Sequence, residues 1–277
     1  MKKFLSVLLV LCMVLTLLPM AAMATEEQFT DMPDNYAAPA LRAAVANGLL
    51  NGSDGKLMPN ANLTRAQMAA VVNRAFGAAE KSDISAYTDV PSGAWYAGDM
   101  AAAVHMKTFM GSGSKLMPMS DITRQEAFSV LARALNMPAG DQTVLAKFND
   151  GAKVASWARD SVSAMISAGF VNGSGSMLNP TANITRADFA VVMNNIIKTY
   201  ISKAGEYSTD YTGSVMINVP DVTLKNITIT GDLIIGDGVG DGNVTLDNVK
   251  VTGRTIVRGG VHSIIIKGAS QLGTVTI

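Results

Sequence analysis

Three arginines recur in one local setting. Arg65, Arg124 and Arg186 each follow a threonine, in Thr64-Arg65-Ala66-Gln67, Thr123-Arg124-Gln125-Glu126 and Thr185-Arg186-Ala187-Asp188. A guanidinium is a planar array of donors that takes both oxygens of a carboxylate, and a helix start adds unpaired amides and the positive end of its dipole. Together they suit an anion. Each arginine also has an aromatic residue 29 positions upstream: Tyr36 (36 to 65), Trp95 (95 to 124) and Trp157 (157 to 186). Such rings combine a broad apolar face with a polar edge, a surface on which a sugar can rest. Five to seven residues earlier stands an acid, Asp31, Asp89 or Asp150, placed to orient an arginine, to accept a sugar hydroxyl or simply to cap a helix. A cation in the first helical turn opposes the dipole, so its threefold recurrence favours a functional role over a plain inter-repeat salt bridge.

These residues belong to three copies of one unit. Phe29-Thr30-Asp31, Tyr87-Thr88-Asp89 and Phe148-Asn149-Asp150 open them; Leu57-Met58-Pro59, Leu116-Met117-Pro118 and Leu178-Asn179-Pro180 precede each arginine, with proline to arginine always 6. A constant interior with variable edges predicts folded units joined by tolerant loops. Each copy reads as helix, loop, helix. The threonines are N-caps, with Gln67, Glu126 or Asp188 at the third position to complete a capping box. Met68, Val71, Val72 and Ala75, like Phe189, Val192, Met193 and Ile196, fall at helical spacing and mark a core face. Gly48 and Gly169 sit where the first helix should end as left-handed caps. Lys107 holds that place in the second copy, so its turn is expected to differ.

Of the 277 residues, the first carry Lys2 and Lys3, an apolar run from Phe4 to Leu18, Pro19 and Ala21-Ala22-Met23-Ala24. That order predicts a secretory signal peptide over residues 1–24, and hence a secreted chain with no membrane segment after cleavage. The one cysteine, Cys12, lies within it, which removes disulfides, thiolate metal sites and cysteine nucleophiles from the mature protein. Without Lys2 and Lys3 the balance is 20 basic against 22 acidic residues. Such neutrality gives no electrostatic case for nucleic acid, and nothing in the residues calls for a cofactor or a metal.

The aspartate, the aromatic residue, the proline and above all the Thr-Arg-Ala-Gln, Thr-Arg-Gln-Glu and Thr-Arg-Ala-Asp tetrapeptides resemble the S-layer homology family, from about Phe29 to Ile197. The resemblance implies a pseudo-threefold all-α bundle of three repeats whose grooves bind a secondary cell-wall polysaccharide, commonly bearing a pyruvate ketal. It implies a protein of the cell wall or surface layer, with polysaccharide or peptidoglycan as partner. The ligand-binding set it implies is Arg65, Arg124, Arg186, Tyr36, Trp95, Trp157, Asp31, Asp89 and Asp150. Gln67 and Asp188 for Glu, Tyr36 for Trp, Lys107 for Gly and Gln125 for Ala depart from the family pattern, and the last two single out the second repeat.

The expected division is 25–77, 84–136 and 145–198 for the repeats, a polar linker over 199–213, and a β-solenoid-like segment over 214–277. In the last, Val222, Leu224, Ile227 and Ile229 alternate with polar residues, and Leu224 to Leu246, Asn226 to Asn248 and Gly231 to Gly253 are each 22 apart. About three rungs of a parallel β-helix are expected. The chain stops at Ile277 in a strand-like run, so either something covers that edge or the sequence is a fragment. Gly236 to Asn243 lacks calcium-loop spacing and reads as a turn. The rivals to an anchor are a wall-tethered carbohydrate-active enzyme, for which Asp232, Asp237, Asp241, Asp247, His105 and His262 offer no paired site, and a tether between outer membrane and peptidoglycan, which needs a downstream barrel. A non-enzymatic anchor is the expectation.

Overall fold

The computed structural model describes residues 29–260 and 263–277; the signal-peptide reading, Cys12 and His262 fall outside them. Among the described residues six α-helices come first: α1 (Ala38–Ala46), α2 (Arg65–Phe76), α3 (Ala97–His105), α4 (Arg124–Ala134), α5 (Arg159–Ser167) and α6 (Arg186–Ile196). Each repeat supplies two. The two helices of a repeat do not form the main packing pair: α2 packs on α3, α4 on α5, and α6 back on α1. The first helix of every repeat therefore lies on the second helix of the repeat before it, and the order closes on itself.

The residues just before the threonines tie this circle at its centre. Leu63, Ile122 and Ile184 are fully buried, and their backbones close a ring: Leu63 N donates to Ile184 O, Ile184 N to Ile122 O and Ile122 N to Leu63 O, each at 3.0 Å. Apolar side chains at that position are what such a ring requires, since its peptide groups satisfy one another away from water. The core runs through Phe76, Phe128 and Phe189 and the methionines of the helix faces, among them Met68 and Met100, all fully buried or nearly so. Each contributes about 1.5–3 kcal/mol by leaving water.

Nine strands follow: β1 (Thr199–Ile201), β2 (Gly205–Tyr207), β3 (Val215–Ile217), β4 (Val222–Ile229), β5 (Leu233–Ile235), β6 (Asn243–Val251), β7 (Thr255–Val257), β8 (Ser263–Lys267) and β9 (Val275–Thr276). They form two wholly parallel sheets, β1-β3-β5-β7-β9 and β2-β4-β6-β8, the alternation of a β-solenoid. The predicted register holds: Leu224 pairs with Leu246, and Asn248 Nδ2 donates to Asn226 Oδ1 at 3.0 Å. Both asparagines take the left-handed backbone, φ 55° and 53°, which Asn tolerates better than most residues.

The linker expected over 199–213 is not one. Its strands β1 and β2 pair with β3 and β4 and form the first rung, so the solenoid has about four turns rather than three. The misreading has a physical cause. A first rung has one strand neighbour instead of two, and β2 is largely exposed, so its composition stays polar.

The two sheets have different burial, and the sequence carries the difference. In β4 and β6 polar residues alternate with buried ones, as on a sheet with one wet face. In β3 and β5 all three residues are buried, as on a sheet covered on both sides. The outward row Tyr200, Met216, Ile234 and Ile256 lies in register across four strands and joins the helical core, while the inward residues fill the solenoid. Loops complete the junction. Arg258 donates to Met106 O at 3.0 Å, lies over the Phe76 ring and pairs with Asp237 at 2.7 Å; Asn218 Nδ2 donates to Ala75 O at 3.2 Å. A Cβ on Gly77, the left-handed cap of α2, would run into Asn218 O and Gly238 Cα.

Candidate functional site

The threonine caps form as expected in the first repeat: Gln67 N donates to Thr64 Oγ1 (3.2 Å) and Thr64 N to Gln67 Oε1 (3.0 Å). In the second, Thr123 donates its N–H and its hydroxyl to Glu126 Oε2, at 2.8 and 2.6 Å. In the third only Asp188 N to Thr185 Oγ1 remains, at 3.1 Å. The shorter Asp188 carboxylate is turned instead to Tyr36 and Arg124.

The helix starts are not open. Arg65 N and Ala66 N donate to Ser120 O and Pro118 O; Arg124 N and Gln125 N to Ala182 O and Pro180 O; Arg186 N and Ala187 N to Ala61 O and Pro59 O, all at 2.9 Å. The proline loop of one repeat thus occupies the amides that the sequence offered to an anion. This corrects the expectation of free helix-start amides, and gives the invariant proline-to-arginine spacing a structural purpose.

The arginines are equally engaged. Nε of Arg65, Arg124 and Arg186 donates to the carbonyl of Leu116, Leu178 and Leu57, at 2.9, 3.0 and 2.7 Å. Those leucines are held from the other side by the aspartates. Asp31 accepts from Leu57 N and Met58 N (2.7 and 2.8 Å), Asp89 from Leu116 N and Met117 N (2.9 and 2.7 Å), and Asp150 from Leu178 N and Asn179 N (both 2.8 Å). Met58, Met117 and Asn179 are left-handed, φ 52–55°, a conformation costing about 1–2 kcal/mol in an L-residue. Each aspartate therefore braces a strained turn and reaches an arginine only through a leucine peptide. The amide of Leu57 leads the causes that hold the Asp31 carboxyl below its ordinary range; at Asp89 and Asp150 desolvation is the largest single cause and works the other way, and the backbone amides with a nearby lysine, Lys115 or Lys153, together outweigh it.

What the arginines have left are terminal amino groups, and here the repeats differ. Arg65 Nη1 meets Glu126 at 3.4 Å and Arg124 Nη1 meets Asp188 at 3.3 Å. Arg186 has Gln67 at the matching position; its Nη2 donates to Asn51 O at 2.8 Å, and among the described residues Nη1 has no acceptor. Burial is the leading cause that lowers all three guanidinium pKa values, yet each stays a cation.

The aromatics stand in solvent. Tyr36, Trp95 and Trp157 are 72, 62 and 59 % exposed, against nearly complete burial for core rings such as Phe128. Rings of this size left in water in three equivalent places are not packing residues. Tyr36 Oη donates to Asp188 Oδ1 at 2.9 Å, so residues of all three repeats meet in one groove: Tyr36, Arg124 and Asp188. Its space is about 520 Å³, floored by the 170–174 loop and Asn195.

The second repeat's departures are absorbed. Lys107 takes the same left-handed turn as Gly48 and Gly169, φ 59° beside 66° and 74°, so the turn expected to differ does not. Gln125 accepts from Ala155 N at 2.9 Å and ties the segment before Trp157 to α4. Sequence reasoning did not find the loop carbonyls or Arg74 and Arg133, whose spacing of nine from Arg65 and Arg124 was a usable signal. Of the acids weighed for catalysis, Asp232 pairs with Arg254 and Asp237 with Arg258, each at 2.7 Å, at the junction with the helices, and Asp247 lies in register between Lys225 and Lys267. The 236–243 turn is thus a docking element. Among the described residues no helix is long and apolar enough to cross a membrane.

Three segments, residues 28–69, 86–128 and 147–190, match the family model described as the S-layer homology domain. The chain is 30 % identical over 222 residues to the Surface-layer 125 kDa protein of Lysinibacillus sphaericus, covering 77 % of this chain and 18 % of that protein. It is 27 % identical over 218 residues to the Middle cell wall protein of Brevibacillus brevis, 76 % of this chain and 19 % of that one. It is also 28 % identical over 183 residues to the Amylopullulanase of Thermoanaerobacterium thermosulfurigenes, 64 % of this chain and 10 % of the enzyme. The chain spans less than a fifth of the length of each of these relatives.

Proposed function

This chain carries three S-layer homology domains and a parallel β-solenoid, and from that premise we propose that it is a secreted, non-enzymatic module that holds a surface protein to the bacterial cell wall. The three repeats act as a pseudo-threefold unit. Its inter-repeat grooves bind a secondary cell-wall polysaccharide, with an acidic substituent such as a pyruvate ketal at the arginines and a sugar ring against Tyr36, Trp95 or Trp157. Relatives named as surface-layer and wall proteins support this, and so does the small share of the amylopullulanase that is matched, as expected of an attachment module common to proteins with different cargo.

One observation carries the reading: three large aromatic side chains stand exposed at equivalent places in the three repeats, and one of them, Tyr36, shares Asp188 with Arg124, an arginine fixed between two repeats. The aromatics also make the better test. Replacing the arginines would remove the bonds that join neighbouring repeats, so loss of binding would not separate ligand from fold. The variant Tyr36→Ala/Trp95→Ala/Trp157→Ala removes mostly exposed surface, with the Tyr36–Asp188 hydrogen bond and the Trp95–Tyr96 ring contact the only described interactions lost. Mature protein is expected to co-sediment with wall sacculi, and the triple variant to stay in the supernatant with its melting temperature within a few degrees of the parent. Co-sedimentation unchanged in the variant would overturn the groove reading. Binding that survives stripping of the secondary polymer would make peptidoglycan the partner.

A further inference from the structure

The three grooves have the same frame but not the same charge. In the first repeat, Arg74 Nη1 donates to Leu49 O (2.9 Å) and Arg186 Nη2 to Asn51 O (2.8 Å). Two guanidinium groups therefore sit on carbonyls of one loop, two residues apart, and Gln67 supplies no carboxylate. The second repeat repeats the arrangement with Arg133 on Thr108 O (2.9 Å) and Arg65 on Met110 O (3.3 Å), but Glu126 offsets one cation. In the third, Asn195 Nδ2 takes the carbonyl of Phe170 at 3.2 Å and Asp188 offsets Arg124. Counting the two loop-bound positions and the box position gives +2, +1 and 0 (two arginines; two arginines less Glu126; Arg124 less Asp188). The aspartate braces occur once per groove and drop out of the ranking. Burial lowers the Arg186 pKa most; Asp31 works against that, and the facing Arg74 adds to it.

We propose that the grooves divide the ligand by charge: the Arg74–Arg186 groove takes the anionic group of the glycan, the Arg65–Arg133 groove takes it more weakly, and the Tyr36–Arg124–Asp188 groove takes uncharged sugar. This rests on the groove reading above and adds a rank order to it. Like-charged guanidinium groups held by neutral carbonyls repel each other until an anion bridges them, whereas Arg124 and Tyr36 already share Asp188 and offer an anion a pre-formed competitor. Trp95 marks the first groove: it precedes α3, which packs on α2 as the helix after Tyr36 packs on α6.

The chain has only two tryptophans, and Trp157 precedes α5, which packs on α4 as α3 packs on α2, so each cationic groove has its own reporter. In the otherwise intact mature protein, Trp157→Phe leaves Trp95 and Trp95→Phe leaves Trp157. Each is titrated with a methyl glucopyranoside carrying a 4,6-pyruvate ketal and with the neutral parent glycoside. The ketal is expected to change Trp95 emission at lower concentration than Trp157 emission. Gln67→Glu should weaken the Trp95 response roughly tenfold, the scale of one unit charge within a Debye length near a protein surface; Glu126→Gln should strengthen the Trp157 response by a similar factor. Tyr36 ring signals in NMR should shift alike with ketal and parent. Equal ketal affinities at the two tryptophans, no effect of Gln67→Glu, or a Tyr36 response specific to the ketal would overturn the ranking while leaving the groove reading in place. Silence of all three reporters in protein that still binds sacculi would overturn both.

Discussion

The aspartates and Lys107 are residues whose roles the fold redefined. Asp31, Asp89 and Asp150 hold left-handed turns with both carboxylate oxygens, and their carboxyls are held below the usual carboxylate range. A depressed folded-state pKa contributes stability that is present above the unfolded value, about 3.9, and is lost as pH falls through the folded one. The melting temperature is therefore expected to be flat from neutral pH to about pH 5 and to drop below about pH 4. Asp89→Asn and Asp150→Asn should each flatten that acid limb, a comparison made by calorimetry across pH. Lys107 is an L-residue in a conformation that its two counterparts reach with glycine. Lys107→Gly is expected to raise stability by about 1 kcal/mol in urea denaturation, since the strain relieved slightly exceeds the entropy glycine adds.

Among the elements, the helix-loop-helix unit was legible in the threonine caps and the apolar stripes, but the helices exchange partners between repeats. Local periodicity states which face is buried and leaves open what buries it. The outer solenoid strands were more informative than their short length suggests. Val215-Met216-Ile217 and Leu233-Ile234-Ile235 break the alternation seen in β4 because both of their faces are covered. The Arg258–Asp237 pair at that junction has side chains only 9 and 17 % exposed. Arg258→Ala should cost about 3–5 kcal/mol, because it leaves Asp237 unpaired. Arg258→Met combined with Asp237→Leu should recover most of that loss in chemical denaturation; a double variant as unstable as the single one would mean that the pair matters through Met106 and Phe76 instead.

On the scale of the whole molecule, the anchor and the solenoid share a core. Met216, Ile234 and Ile256 belong to the helical cluster rather than to the solenoid interior. Helix and sheet are therefore expected to unfold together. Tryptophan emission, which reports only the repeats, and the β signal in circular dichroism should give one midpoint. Ile234→Asp, which places an unpaired charge in the shared core, should separate the two transitions or lower both by several degrees; coincident curves at the parent midpoint would show the faces to be independent. The docked solenoid also fixes the direction in which its stack leaves the helical unit.

The sequence by itself determined the three repeats, their caps, the arginine and aromatic positions and the 22-residue rungs, because each is a local pattern of spacing along one strand or helix. Only the tertiary structure decided what those residues face. Closing the circle spends the helix-start amides on the next repeat's proline loop, converts the aspartates from candidate ligands to braces and places Glu126 and Asp188 against arginines 61 and 64 residues away in sequence. The anion site that a single repeat advertises thus shrinks to the guanidinium groups left over after assembly, and their number differs from groove to groove. A charge balance between three chain-distant groups has no local signature, which is why the equivalence of the grooves in sequence did not carry over to their chemistry.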